Sequence, residues 1–199
     1  LRLRTYLTAA LCTAGLAATP TLATDFSLIG SYWDTDAAGD TAGGGLILGM
    51  PLNETFAIEL RATYFEELSD DPFQNAFDSN DPIFQDQGIQ ALPLEAGVRF
   101  SFPQRAWLRP HIGGGATYFL LDSDFGEVSD EVGYYVTLGA TLGDGDGTDF
   151  FIEGIWRDAT AGIELDPQAL DDIDDINVVD HATLDLGGFG VNLGVRWSF

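Results

Sequence analysis

The strongest constraint on this chain is a period of two. Residues 189–199 read FGVNLGVRWSF, with Phe189, Val191, Leu193, Val195, Trp197 and Phe199 on one parity and Gly190, Asn192, Gly194, Arg196 and Ser198 on the other. Alternation of this kind marks a β-strand whose two faces meet different surroundings. Eight such runs occur, over residues 25–34, 41–50, 56–67, 88–102, 107–121, 132–142, 149–158 and 183–199. The third is the clearest: Phe56, Ile58, Leu60, Ala62 and Tyr64 interleave with Ala57, Glu59, Arg61 and Thr63. The connections alternate too. Short ones lie at 51–55, 103–106 and 143–148, and longer ones follow the first, third, fifth and seventh runs. The expected fold is all-β: an eight-stranded antiparallel up-and-down β-barrel with turns at one end and loops at the other.

The first 23 residues stand apart. Arg2 and Arg4 precede an uncharged stretch containing Leu7, Leu11 and Leu16, followed by Pro20 and the triplet Thr21-Leu22-Ala23. That is the layout of a cleavable signal peptide, with cleavage expected after Ala23. Its apolar run is shorter than the roughly 20 residues of a spanning helix. Cys12 lacks the small neighbour that a lipoprotein site needs, since Leu11 precedes it. Residues 24–199 are then one barrel domain that is exported, has no cysteine, and cannot rely on a disulfide.

Alternation alone does not say which face is the core, because soluble barrels alternate as well. Charge placement decides it. The chain holds 32 acidic and 8 basic residues, a formal net charge of -24, and every basic residue is arginine. Such a balance excludes nucleic acid as a partner, which needs clustered Lys and Arg. Of the 32 acids, 24 fall in the long connections at 34–40, 66–86, 122–131 and 158–185. The polar strand parity carries Glu59, Glu95 and Glu153 against Arg61, Arg99, Arg109, Arg157 and Arg196, among Gly, Ser, Thr and Asn. A compact, nearly balanced set suits a closed interior, where an unpaired charge costs several kcal/mol. The opposite parity, almost free of charge, is expected to face lipid.

The aromatics are expected to form two belts at the membrane boundaries. Phe56, Phe102, Trp107, Phe150, Trp197 and Phe199 lie toward the short turns, and Tyr32, Trp33, Tyr64, Tyr118, Tyr134 and Trp156 toward the long loops.

Together these features resemble the small bacterial outer-membrane barrels of the OmpX and OmpA transmembrane-domain type. The segment RPHIGGGATY, Arg109 to Tyr118, is similar to a Pro-aromatic-apolar-Gly strand of that superfamily, with His111 in the aromatic's place. The resemblance implies an integral outer-membrane location with the long loops extracellular. It further implies an assembly signal in Trp197 and Phe199, read by the barrel-assembly machinery, and contact with outer-membrane lipid and lipopolysaccharide. The two-domain anchoring role of full-length OmpA is not implied.

Function follows from size. Eight strands enclose a space that side chains fill, so Glu59, Glu95 and Glu153 are expected to pair with the five arginines and plug the lumen. A structural, envelope-stabilising role is the leading expectation. The alternative is a surface module whose acidic loops serve adhesion or ligand capture through an extracellular partner. In that reading Asp171, Asp172, Asp174 and Asp175 would bind a hard divalent cation. The turn Gly143 to Asp149 has a calcium-like spacing of Asp144, Asp146 and Asp149, but no distal Glu, and a tight hairpin is the better account. Asp166-Pro167 resembles a helix start, with Leu170, Ile173 and Ile176 after it. Lipid-modifying catalysis would need a histidine beside a serine. The chain offers only His111 and His181, so no catalytic residue, cofactor or resident metal is expected.

Overall fold

In the computed structural model, residues 24–35, 39–68, 89–102, 107–123, 126–128, 131–143, 147–165 and 182–199 are described. The strands are β1 (Asp25–Thr35), β2 (Gly39–Pro51), β3 (Phe56–Leu68), β4 (Ile89–Ser101), β5 (Leu108–Ser123), β6 (Gly126–Val128), β7 (Glu131–Leu142), β8 (Thr148–Asp158), β9 (Thr160–Leu165), β10 (Ala182–Asp185) and β11 (Gly188–Ser198). Eight of them close a barrel in the order β1-β11-β8-β7-β5-β4-β3-β2, every neighbouring pair antiparallel. Closure satisfies every strand edge, which is the condition for crossing a bilayer with strands. The seam is complete: β11 pairs β1 from Asp25 opposite Ser198 to Thr35 opposite Gly188.

Each barrel strand begins and ends within about two residues of its alternating run, except the last. The run 183–199 is two strands, broken at Leu186 and Gly187, where the chain turns with Gly188 at φ +155°. Its first part, β10, leaves the barrel and joins β9 and β6 in a separate three-stranded antiparallel sheet. β9 itself lies within the stretch 158–185 expected as a loop. It continues β8 after the single residue Ala159, so the barrel wall rises beyond its cylinder on the loop side. The signal-peptide segment, Arg105, His181, Asp144, Asp146, and the acids and helix start of residues 166–176 lie outside the described residues.

Alternation holds around the whole barrel. In β1 the residues Asp25, Ser27, Ile29, Ser31, Trp33 and Thr35 are all buried, while Leu28 and Tyr32 are about half exposed. Leu60, Val98, Ile112, Leu138, Ile152 and Leu193 continue the exposed apolar parity on the other strands. A continuous apolar girdle of this extent is not found on a soluble monomer. It is the lipid-facing surface of a transmembrane barrel. Strands of 11 to 16 residues exceed the 9–11 that a tilted strand needs to cross.

One member of the upper belt is misplaced by the alternating pattern. Trp33 is fully buried and points into the lumen, against Phe65 and Phe119, with ring centroids 5.2 and 5.8 Å away. Tyr32 and Trp33 are adjacent, so only one of them can face lipid. The phenol, which needs a polar partner, takes the outer side and donates to Asp40 at 3.0 Å.

Small residues make room for these rings. A Cβ on Gly43 would strike the Phe65 ring, and one on Gly194 would strike Phe151, whereas nothing lies within 4 Å of a Cβ on the outward-facing Gly30. The substitution Gly194→Leu is therefore expected to abolish the compact, heat-modifiable band on a gel of unheated protein, and Gly30→Leu to leave it in place.

Candidate functional site in the barrel lumen

The lumen is built from the inward parity of all eight barrel strands, and its charged groups form a central connected cluster with an ion pair toward each end. Arg61 on β3 is central. Its Nη1 lies 2.5 Å from Glu153 Oε1, and its Nη2 lies 2.9 Å from Glu153 Oε2 and 3.0 Å from Glu59 Oε2. Glu153 comes from β8 on the far wall, so this guanidinium ties opposite sides of the barrel together. A bidentate fork on one carboxylate and a second carboxylate behind it is a geometry that arginine, but not lysine, can satisfy.

Glu59 is shared. Its Oε1 meets Arg99 at 3.0 Å and Arg196 at 3.6 Å. Arg99 reaches on to Asp25 at 3.2 Å, and Ser198 donates to the same carboxylate at 2.8 Å. Glu153 also accepts from Asn192 at 2.9 Å and lies 3.4 Å from His111 Nε2. Toward the turns, Arg109 pairs with Asp149. Toward the loops, Arg157 Nε donates to Glu95 at 2.8 Å. Each of these side chains except Arg109 and Ser198 is buried.

Three of the arginines also lie over rings: Arg61 over Tyr135, Arg157 over Trp33 and Phe65, and Arg196 over Phe151 at 4.9 Å. Desolvation strengthens such contacts. They let the wide faces of the guanidinium rest against apolar surface while its edge serves carboxylates.

The structure brings together all eight residues of the expected interior set: Glu59, Arg61, Glu95, Arg99, Arg109, Glu153, Arg157 and Arg196. It adds two that the expected charged set omitted, Asp25 and Asp149. With them, five carboxylates face five arginines among the described lumen residues, where three against five was expected. Both aspartates open their alternating runs, 25–34 and 149–158, and the signal that could have found them is their inward parity within β1 and β8. Asp149 is thereby an ion-pair partner of Arg109.

Above the ions, toward the loops, the lumen becomes apolar. Trp33, Phe65 and Phe119 pack across it, and Ala91, Ala159 and Leu186 are buried at the same end. An ion entering from the loop side would meet this aromatic layer before reaching Arg157.

His111 occupies the lumen as a neighbour of Glu153. Ser101 stands opposite it in the β4–β5 ladder, but no side-chain hydrogen bond joins the two. No group of three or more His, Cys, Asp or Glu with metal-binding geometry occurs among the described residues. Trp197 stacks on Phe26 across the seam at 5.9 Å, and Phe199 is exposed with its backbone N–H donated to Thr24.

A closed eight-stranded barrel with an apolar girdle and an ion-filled interior is a transmembrane barrel of the small outer-membrane type. Its fold is shared with the outer membrane protein OprG from Pseudomonas aeruginosa, at TM-score 0.61 and 16% identity, with 89% of this chain and 97% of that one covered. Neisserial surface protein A matches at TM-score 0.57 and 12% identity over the same shares of the two chains. The outer membrane protein AlkL matches at 0.51 and 10%, over 92% of each chain. No family model matches the chain, and no curated protein is similar to it.

Arg157 gives a test of the network. With Arg157→Met, Glu95 is left buried without its cation, at an expected cost of about 3–5 kcal/mol. The double variant Arg157→Met with Glu95→Leu is expected to regain most of that loss. Reversible urea unfolding in lipid vesicles measures both.

Proposed function

We propose that this protein is an integral outer-membrane barrel whose lumen is sealed against ion flow, and that its role is structural, stabilising the envelope with its long loops on the outside. The observation that carries this reading is the set of five arginines and five carboxylates paired along the lumen, a central cluster around Arg61 with the pair Arg109–Asp149 toward the turns and Arg157–Glu95 toward the loops. A wide pore would keep such groups hydrated and separate; here they touch, and the aromatic layer of Trp33, Phe65 and Phe119 lies over them. Buried ions paired on several sides hold opposite walls in one geometry, the property wanted of a rigid membrane element and the opposite of what a diffusion channel needs. The fold shared with other outer-membrane proteins supports the location.

Planar-bilayer recording tests the sealed lumen. The wild-type protein is expected to give no steady conductance above the lipid baseline, and a lasting porin-sized current would refute the reading.

A further inference from the structure

Strands β9 and β10 are the bent end of a barrel ribbon. Arg157 on β8 stands opposite Gly188 on β11, and Thr160 on β9 stands opposite Asp185 on β10. The two ladders share one register, so β8 with β9 and β11 with β10 make a single two-stranded ribbon, interrupted between Arg157 and Thr160 on one chain and between Asp185 and Gly188 on the other. The interruption is built as a bend. Leu186 donates its N–H to the Ala159 carbonyl at 2.9 Å and keeps the two chains together, while the Gly187 N–H turns aside to the Asp185 carboxylate at 2.8 Å. Gly188 follows, where a Cβ would strike the Asp34 carbonyl oxygen. Ala159 and Leu186 are both buried at this bend.

Beyond the bend the ribbon changes neighbours. On its other side β8 pairs β7, with Tyr134 and Asp158 as the last partners, but β9 takes β6, which follows β5 in the chain. The ribbon therefore bridges the loop-side rim from β8 and β11 to the β5 side, past the end of β7. What holds it there is short: Gly126 opposite Leu165, Glu127 opposite Glu164, and Val128 opposite Ile163. The middle position of this ladder joins two acidic residues. Like charges directly opposite in an antiparallel pair are destabilising. No arginine offsets them: the ionisable residues of the three short strands are Glu127, Glu164 and Asp185, and the chain has no Arg or Lys between Arg109 and Arg157 or between Arg157 and Arg196. The adjoining strand ends, with Asp122 on β5, Glu131 and Tyr134 on β7 and Asp158 on β8, bring further acids and no cation.

We propose that the β6–β9 ladder is a proton-dependent latch, fastened when Glu127 and Glu164 hold a proton between them and loosened when both are ionised. A ladder of three residues has few other bonds to offset the repulsion, so one protonation step governs how firmly it forms. Fastened, it holds the bent ribbon across the rim with Leu186 seated at the end of the lumen. Loosened, it leaves the ribbon held at its bend. The latch lies outside the barrel wall, and it does not depend on whether the lumen conducts.

Amide hydrogen exchange of the full chain in lipid nanodiscs tests it, read as protection factors so that the intrinsic pH dependence of exchange is removed. Protection of residues 126–128 in the wild type is expected to be about five-fold greater at about pH 4.5 than at about pH 7.5, the size of one unfavourable cross-strand pair. The amides of β5 are the barrel reference and are expected to stay unchanged. Glu127→Gln and Glu164→Gln, which remove the charge and keep the side-chain length, are each expected to show the higher protection at both pH values. Asp185→Asn and His181→Gln are expected to keep the wild-type dependence. Equal wild-type protection at the two pH values overturns the proposal. So does a dependence that persists in either glutamine variant of the pair, or one that His181→Gln removes, because a different group would then be titrating. A change that β5 shares is loosening of the barrel rather than release of the latch, and it overturns the proposal as well.

Discussion

Arg61 lies between Glu59 and Glu153, and the barrel can close around charged groups only because of arrangements like that one. Lipid on the outside leaves ionised strand residues nowhere to go but inward, and eight strands leave too little space for each to keep its own water. The remaining solution is mutual compensation. Glu59 serves Arg61, Arg99 and Arg196, Glu153 serves Arg61, Asn192 and His111, and Asp25 with the end pairs Arg109–Asp149 and Arg157–Glu95 brings the count to five of each sign. Removing one member from such a network exposes several others, which makes the lumen a cooperative unit rather than a sum of pairs.

Packing follows from the same limit on space. The guanidinium groups lie on rings, and the rings need glycines opposite them: Gly43 beneath Phe65, Gly194 beneath Phe151. The inward parity therefore alternates between bulky and absent side chains around the cylinder. The aromatic layer at the loop end completes the seal, and the extension through β9 and β10 carries the wall above it.

Much of this is legible in the sequence, and the rest fails for identifiable reasons. Period-two alternation locates all eight barrel strands, and the confinement of Arg61, Arg99, Arg109, Arg157 and Arg196 to one parity identifies the inside. Strand ends are harder: Asp25 and Asp149 open the runs 25–34 and 149–158 on the inward parity but fall outside the charged set expected from the strand interiors. The pair Tyr32 and Trp33 shows a second limit: two neighbouring aromatics both suit a belt by composition, but the pleat sends them to opposite faces. The small sheet of β6, β9 and β10 is invisible to pattern because its strands are 3 to 6 residues long and lie among acidic stretches. The opposition of Glu127 and Glu164 is legible only once register aligns β6 with β9.

The central claim is that Arg61 and Glu153 hold the far walls of the lumen together through a buried, bidentate ion pair. A double-mutant cycle with Arg61→Met and Glu153→Gln, read by reversible unfolding in lipid vesicles, measures that coupling directly. The account predicts a favourable coupling of about 2 kcal/mol or more, within the range for residues in one buried network; additive effects, with a coupling near zero, would contradict it.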